Sequence, residues 1–283
     1  MKKRSKVTGK QQDRSKRHPG LVCIFFLGFF ILMYPFASNL LAKYNAVRKN
    51  VQYEKYVDGM SKEELEKQWK LAKEYNENLS GEPVHDPFIP GSGYALPDNY
   101  QEVLNVMGDG IMGRIEIPSI QVDLPIAHGT SDEVLKKCAG HIEQTALPIG
   151  GKGTHAIITS HTGLPSAKLF TDLRKMEKGD VFYIYILDKK IIYQVDNISV
   201  VLPEEISQLA VVKGKDYVTL VTCTPYGIND HRLLVRGSRI AAADDVKNEL
   251  VTDYTGYLAG LLSCLAIPLM IYVVRLCKSK KRR

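Results

Sequence analysis

The chain has 283 residues, 45% of them hydrophobic, and a formal charge of +7, enough for one sizeable domain with appendages. Its basic charge gathers at the two ends: Lys2, Lys3, Arg4, Lys6, Lys10, Arg14, Lys16 and Arg17 face only Asp13 in the first stretch, and Lys278, Lys280, Lys281, Arg282 and Arg283 close the last. Both clusters flank apolar stretches, which argues against a nucleic-acid-binding face. The cysteines number five, an odd count that does not fit a disulfide-stapled framework.

In chain order, Leu21 to Ala42 carries no charge and has the length of one helical bilayer crossing. A cleaved signal is the alternative, with Ala37-Ser38-Asn39 as a weak cleavage candidate. Lys43 to Tyr56 continues the helix out of the membrane until Gly59 breaks it. Ser61 and Glu64 form a capping-box pattern, which predicts a helix from Ser61 to about Leu79, ended by Gly81 and Pro83. Glu63–Lys67 and Glu66–Lys70 are spaced as ion pairs on it. Leu65, Trp69 and Ala72 make a narrow apolar stripe, in which Trp69 reads as a packing residue. Val84 to Pro97 follows Pro83, holds Pro87, Pro90 and Pro97 with glycines 91 and 93, and fits no regular element. It is either a functional loop or a linker.

Strands come next. Gly113 to Ile117 ends at Pro118, and Val122 to Ile126 ends at His128-Gly129. Asp132 to Lys137 reads as a helical turn. Ala139 to Leu147 leads to Gly150, Gly151 and Gly153, which lack the Lys-Ser/Thr of a phosphate loop and read as a turn. His155 to Ser160 is a strand, and Thr162 to Phe170 a loop with a short helix. Val181 to Leu187 and Lys190 to Val201 form a hairpin across Asp188-Lys189. Pro203 to Glu205 opens a polar turn, and Tyr217 to Thr222 and Leu233 to Ile240 complete the set. At least seven short strands with few helices predict a small all-β, barrel-like domain over residues 108–243.

Residues 244–255 are a juxtamembrane linker, and Gly256 to Val274 is a second apolar stretch within a span of 256–277. Arg275 can snorkel from it toward headgroups. The positive-inside rule then places the basic tails, 1–20 and 278–283, in the cytoplasm and the middle of the chain outside.

Chemistry concentrates in TLVTCTPYGINDHRLLVRG, Thr219 to Gly237. A hairpin here puts Cys223 and Arg232 at one rim of a sheet. A thiolate with a cation in reach is a nucleophile that needs a base. His161 ends AIITSH as Cys223 ends VTLVTC, although the sequence does not say that the two strands are neighbours. His141, His155 and His231 compete for the base role, and on a strand His231 faces away from Arg232. Arg232 stays protonated, so its useful roles are electrostatic: it can stabilise an oxyanion or hold a carbonyl. Each of the three has a plainer reading, as a buried strand-end cysteine, a loop histidine and a surface arginine. Cys23, Cys264 and Cys277 lie in or beside the apolar stretches, which leaves Cys138 as the only disulfide partner for Cys223 in the exposed region. No C-x-x-C or H-E-x-x-H pair marks a zinc site.

TLVTC, the SHTGLPSAKLFTDL segment and Arg232 nine residues after the cysteine together resemble the catalytic core of a sortase, and CTPYGINDHRLLVRG resembles class C, the pilin polymerases of Gram-positive bacteria. The resemblance covers roughly Tyr75 to Ile240 and both apolar spans. It implies a closed β-barrel of about eight strands with short helices, an N-terminal helical region over 43–80, a lid over 81–107 and two transmembrane helices. It implies Cys223 as nucleophile, His161 as acid and base, Arg232 as the electrostatic partner, and Asp86, Pro87 and Phe88 as a lid motif over the site. The implied reaction is transpeptidation: an LPxTG-like signal is cleaved between Thr and Gly, a thioacyl enzyme forms, and a lysine of the next pilin resolves it to an isopeptide bond. The partners are pilin subunits and the membrane, and no cofactor is required. Ser160 stands where the family commonly has glycine, and Thr162 where class C commonly has arginine. The rival readings are a housekeeping sortase acting on cell-wall precursor, a hydrolysing cysteine peptidase and a non-enzymatic anchored β-domain. A thiol oxidoreductase fits least, for want of a C-x-x-C partner to Cys223.

Overall fold

The computed structural model describes residues 19–79 and 99–240. The basic tails, Asp86-Pro87-Phe88 and the second apolar stretch lie outside the described residues. Helix α1 runs unbroken over Pro19–Asp58. Its first part carries Ile24, Phe25, Leu27 and Ile31 more than half exposed. Among the described residues it is the one helix long and apolar enough to cross a membrane. Its second part packs on the barrel: Ala46, Val47, Tyr53 and Val57 are buried. The pattern changes from all-round apolar to one-sided apolar where the helix reaches the barrel.

Helix α2, Lys62–Asn78, starts as the capping box predicts. The Glu64 backbone N–H donates to Ser61 Oγ at 3.2 Å, and the Ser61 N–H donates to Glu64 Oε2 at 2.8 Å. Ala72 and Tyr75 are buried, with Leu65 and Trp69 packed against the same core. Trp69 donates its indole N–H to Asp188 at 2.8 Å, so it is a packing residue with a satisfied polar edge. The helix carries the ion pairs Lys62–Glu66 and Lys70–Glu74, in register with but distinct from the pairs the spacing suggested.

Eight strands close a barrel. They are β1 (Ile111–Ile117), β2 (Val122–His128), β3 (Ala139–His141), β4 (Thr154–Thr159), β5 (Val181–Ile186), β6 (Lys189–Val201), β7 (Asp216–Thr224) and β8 (His231–Arg239). Their order is β1-β2-β3-β4-β7-β8-β6-β5, with β5 pairing back onto β1. Two neighbours are parallel, β2–β3 and β4–β7; the other pairs are antiparallel. Closure leaves no open sheet edge.

Alternation divides the strands into two faces. Ile115, Ile126, Ile158, Phe182, Ile184, Val218, Leu220, Leu233 and Val235 fill the main core. Ile157, Val221, Leu234 and Val201 of the opposite face join Ile142 and Leu209 in a second, smaller cluster. Gly237 is required by this packing: a Cβ there would lie 2.5 Å from the Phe182 ring.

Two details differ from the sequence reading, and a third agrees with it. β3 is too short, at three residues, to show a period, and only its pairing with β2 and β4 makes it a strand. Thr162 to Phe170 contains no helix; the helical turn there is the 3-10 segment Leu173–Lys175. The expected turn at Asp132 is α3, Asp132–Leu135, capped by Ser131.

Candidate active site

The β7–β8 hairpin is set by its connection. Ile228 and Asn229 both donate backbone N–H bonds to the Pro225 carbonyl, at 3.1 and 3.0 Å. Gly227 and Asn229 take positive φ, +81° and +65°, the two residue types that tolerate it best. That turn fixes the register, so Cys223 lies directly opposite Arg232.

His161 arrives from the other side. β4 and β7 run parallel, with Ile157 opposite Thr219 and Thr159 opposite Val221. His161 follows two residues after the last paired position of β4, Thr159, as Cys223 follows two residues after its partner Val221. Val221 and Leu234 share a cluster with Ile157, and Cys223 and Arg232 continue that face on β7 and β8. The cluster is the floor beneath them. Val201, the Arg232 partner on β6, extends it.

Cys223 and His161 are half-buried, and Arg232 is 8% exposed. One guanidinium nitrogen of Arg232, Nη1, donates to the carbonyls of Asn229 and His231, at 3.1 and 3.2 Å. The head group is thereby held by the turn itself. Burial pushes the His161 pKa below its ordinary value; Asp132 pulls it up and Lys136 pushes it further down. The ring is therefore neutral at neutral pH and able to accept a proton. After His161 the chain loops out and returns, with the Phe170 N–H donating to the His161 carbonyl at 3.1 Å and the Gly163 N–H to Thr171 Oγ1 at 3.0 Å. Gly163 has φ +76°, and the Tyr226 ring of the β7–β8 turn lies 3.3 Å from where its Cβ would be. A side chain there would push the two loops of the site apart.

The competing histidines sit elsewhere. His141 is wholly buried, Nδ1 3.0 Å from the Tyr100 hydroxyl and Nε2 2.9 Å from the Ala146 carbonyl. Burial holds its pKa down at about 3. His155 lies between the Ala210 carbonyl and the Thr219 hydroxyl, its pKa lowered by burial. His231 faces away from Arg232 and contacts Asp230 at 2.8 Å. Cys138 and Cys223 are both thiols, and burial raises the Cys138 pKa to about 11. Among the described residues no group of three or more His, Cys, Asp or Glu could hold a metal ion.

Sequence reading missed two residues beside the site. Thr222 donates its hydroxyl to the Ser160 carbonyl at 2.8 Å, and Ser160 donates its own to the Cys138 carbonyl at 3.0 Å. The signal was available: a threonine at an inward strand position, between Leu220 and the core, needs a partner.

Comparison with known proteins places this geometry. A sortase domain model matches residues 115–240. Sortase A of Bacillus anthracis is 30% identical over 155 residues, 54% of this chain and 71% of that protein. Among solved structures, the sortase C of Streptococcus pneumoniae, described in terms of catalysis and pilin substrate specificity, is 42% identical with a TM-score of 0.64, covering 70% of this chain and 100% of that one. The pilus-related sortase C of Group B Streptococcus is 44% identical with a TM-score of 0.61, covering 67% and 95%. A cysteine and an arginine in register across one hairpin, a histidine just past the end of the parallel neighbouring strand, and identities above 40% to sortase C structures have one common reading: this chain belongs to the sortase family and matches its class C members.

Proposed function

We propose that the protein is a membrane-anchored cysteine transpeptidase that cleaves an LPxTG-like sorting signal and joins pilin subunits through a lysine isopeptide bond. The observation that carries this reading is the register of Cys223 opposite Arg232 on one hairpin, with His161 just beyond the end of β4, the parallel neighbour of β7. Neutral His161 takes the Cys223 proton as sulfur attacks the threonine carbonyl of the signal. Negative charge develops on that carbonyl oxygen, and Arg232, held by its own turn, is the cation beside it. The C–N bond then breaks, the glycine amine leaves with the proton from His161, and a thioacyl enzyme remains. A neutral lysine amine attacks the thioester, His161 takes its proton, and the thiol is restored as the amide forms. Water in place of lysine gives slow hydrolysis.

Tyr226, Ile228, Val200 and Leu202 are exposed apolar residues near the rim, which suits an extended peptide with leucine and proline side chains. Asp86, Pro87 and Phe88 act as a lid that substrate displaces. The membrane reading has α1 as a retained anchor and 256–277 as a second span, both tails cytoplasmic and the barrel, 108–243, outside the cell. A curated relative of the sortase A type keeps one alternative in view, transfer to cell-wall precursor by the same chemistry.

The test is mass spectrometry of the full chain, in detergent, incubated with an LPxTG peptide alone and with a lysine-bearing pilin fragment or a glycine-based wall-precursor mimic. The expected result is an adduct on Cys223 equal to the peptide without its glycine-containing end, lost in Cys223→Ala and discharged to the lysine acceptor. Adduct formation in Cys223→Ala overturns the nucleophile, and discharge only to the wall mimic overturns the pilin assignment.

A further inference from the structure

We infer that Ser160 and Thr222 are positioning residues that hold His161 level with Cys223, an inference that rests on the catalytic roles proposed above. The backbone pairing that brings β4 to its neighbours stops one residue short of the histidine. On one flank the last β4–β7 partners are Thr159 and Val221. On the other, the last β3–β4 partners are Gly140 and Thr159. Beyond them only the Ser160 N–H still reaches Val221, at a long 3.3 Å. His161 thus begins where both ladders have ended.

Side-chain hydroxyls take over on both flanks. Thr222 Oγ1 donates to the Ser160 carbonyl at 2.8 Å, extending the β7 side by one step. Ser160 Oγ donates to the Cys138 carbonyl at 3.0 Å, extending the β3 side by one step. Thr159 Oγ1 adds a bond to the Val221 carbonyl at 3.1 Å. The peptide that leads into His161 is therefore tied through its N–H, its carbonyl and its side chain. Ser160 is wholly buried and Thr222 is 2% exposed, and the Thr222 bond is buried, so water cannot replace it. Thr222 faces the main core between Leu220 and its register partner Leu233, where valine would pack equally well. The hydroxyl there is unfavourable for packing and useful for holding His161.

The consequence is geometric. A shift of about 1 Å in a catalytic group can cost on the order of 10² in rate. Substrate binding along the rim does not involve Ser160 or the inward-facing Thr222, so the loss belongs in kcat and not in KM.

The experiment measures kcat, KM and pH dependence of acylation by an LPxTG peptide for the full chain in detergent, with Thr222→Val, Thr222→Ser, Ser160→Ala and the Val/Ala double variant. Expected are a kcat loss of roughly 10- to 100-fold for Thr222→Val with KM within about twofold, and recovery to within about threefold in Thr222→Ser. Ser160→Ala loses less, and the double variant loses less than the product of the two, because both bonds hold the same residue. The pH limb belonging to His161 moves in Thr222→Val; a merely structural role would lower the melting temperature and leave that limb in place. Thr222→Val with a kcat within twofold of wild type, or a serine variant as slow as the valine one, overturns the inference. If Thr222→Val does not fold, Ser160→Ala decides: an unchanged kcat and pH limb overturns it. His161→Ala and Cys223→Ala run alongside. Full turnover in His161→Ala removes the catalytic reading itself, whereas dead controls beside a normal Thr222→Val remove only the positioning role.

Discussion

Arg114 is where helix α1 is fastened to the barrel, and its removal should be severe. The side chain sits on β1, 5% exposed, and donates to Asp123 Oδ1 at 2.7 Å, Glu54 Oε1 at 2.7 Å and Glu116 Oε2 at 2.8 Å. The Tyr185 ring lies 4.3 Å beneath the guanidinium. Glu54 belongs to α1, and Asn50 of the same helix donates to Asp123 at 2.8 Å. Burial pushes the Glu54 and Asp123 carboxyls up, and Arg114 is the largest opposing influence on each. Arg114→Met fills the space but leaves three carboxylates without their shared cation. Removing one partner of a buried ion pair costs about 3–5 kcal/mol. For a domain of this size, about 2–4 °C of melting temperature go with each kcal/mol, so the fall should be about 6–20 °C. The sign with pH also follows. Without Arg114 the carboxyls have raised folded-state pKa values, so their protonated forms favour folding at low pH and that contribution is lost as pH rises. The deficit against wild type should therefore be larger at pH 8 than at pH 5. Circular dichroism melts of the full chain in detergent at both values read it directly. A fall of less than about 2 °C at pH 8, or a larger deficit at pH 5, would refute the cluster as the fastening.

Four further outcomes are expected. Arg232→Lys should lose about 10²–10³ in acylation rate, because an ammonium cannot both hold the Asn229 carbonyl and present a planar fork to substrate; a rate within twofold of wild type would rule this out. The wild-type fold should lose stability as pH falls from about 6.5 toward 3, because the buried neutral His141, with its pKa near 3, must take up a proton that the unfolded chain takes up sooner; a His141→Gln variant should show a flatter slope of melting temperature against pH over that window, and an equal slope would point to other groups. Cysteine probes at positions 5 and 281 should escape an impermeant reagent on intact cells, and labelling of either before lysis contradicts the two-span topology. Replacing Asp86 and Phe88 together by alanine should speed alkylation of Cys223 by a bulky reagent, and equal second-order rates would mean that this segment does not gate the site.

Local signals in the sequence reached far. The capping box of α2, the β5–β6 hairpin and the Cys223–Arg232 hairpin each depend on residues fewer than about twenty apart, and each is written in turn or cap chemistry. What the sequence could not show is non-local. β3 is three residues long and exists only because β2 and β4 flank it. The helix expected after His161 gives way to a loop because its polar groups find partners elsewhere: Ser38 of α1 donates to the Pro165 carbonyl, and Thr171 receives the Gly163 N–H. Tertiary partners override weak helical preference in so short a segment. His161 is singled out by the resemblance of its segment, and the structure adds that His141 and His155 are fully enclosed while His161 is half-buried.

The same distinction orders the site by vulnerability. Cys223 and Arg232 are nine positions apart on one hairpin, so their register survives as long as that turn does. His161 has no such local guarantee. Its place beside β7 depends on the parallel pairing of β4 with β7, a contact between strands some sixty residues apart, and parallel pairing cannot be closed by a tight turn. The intervening chain builds β5 and β6, which lie on the far side of β8 and pair with neither β4 nor β7. Cys223 and Arg232 can thus remain in register while His161 shifts. That asymmetry explains why the buried hydroxyls of Thr159, Ser160 and Thr222 gather on the histidine side of the site, where the backbone ladders end.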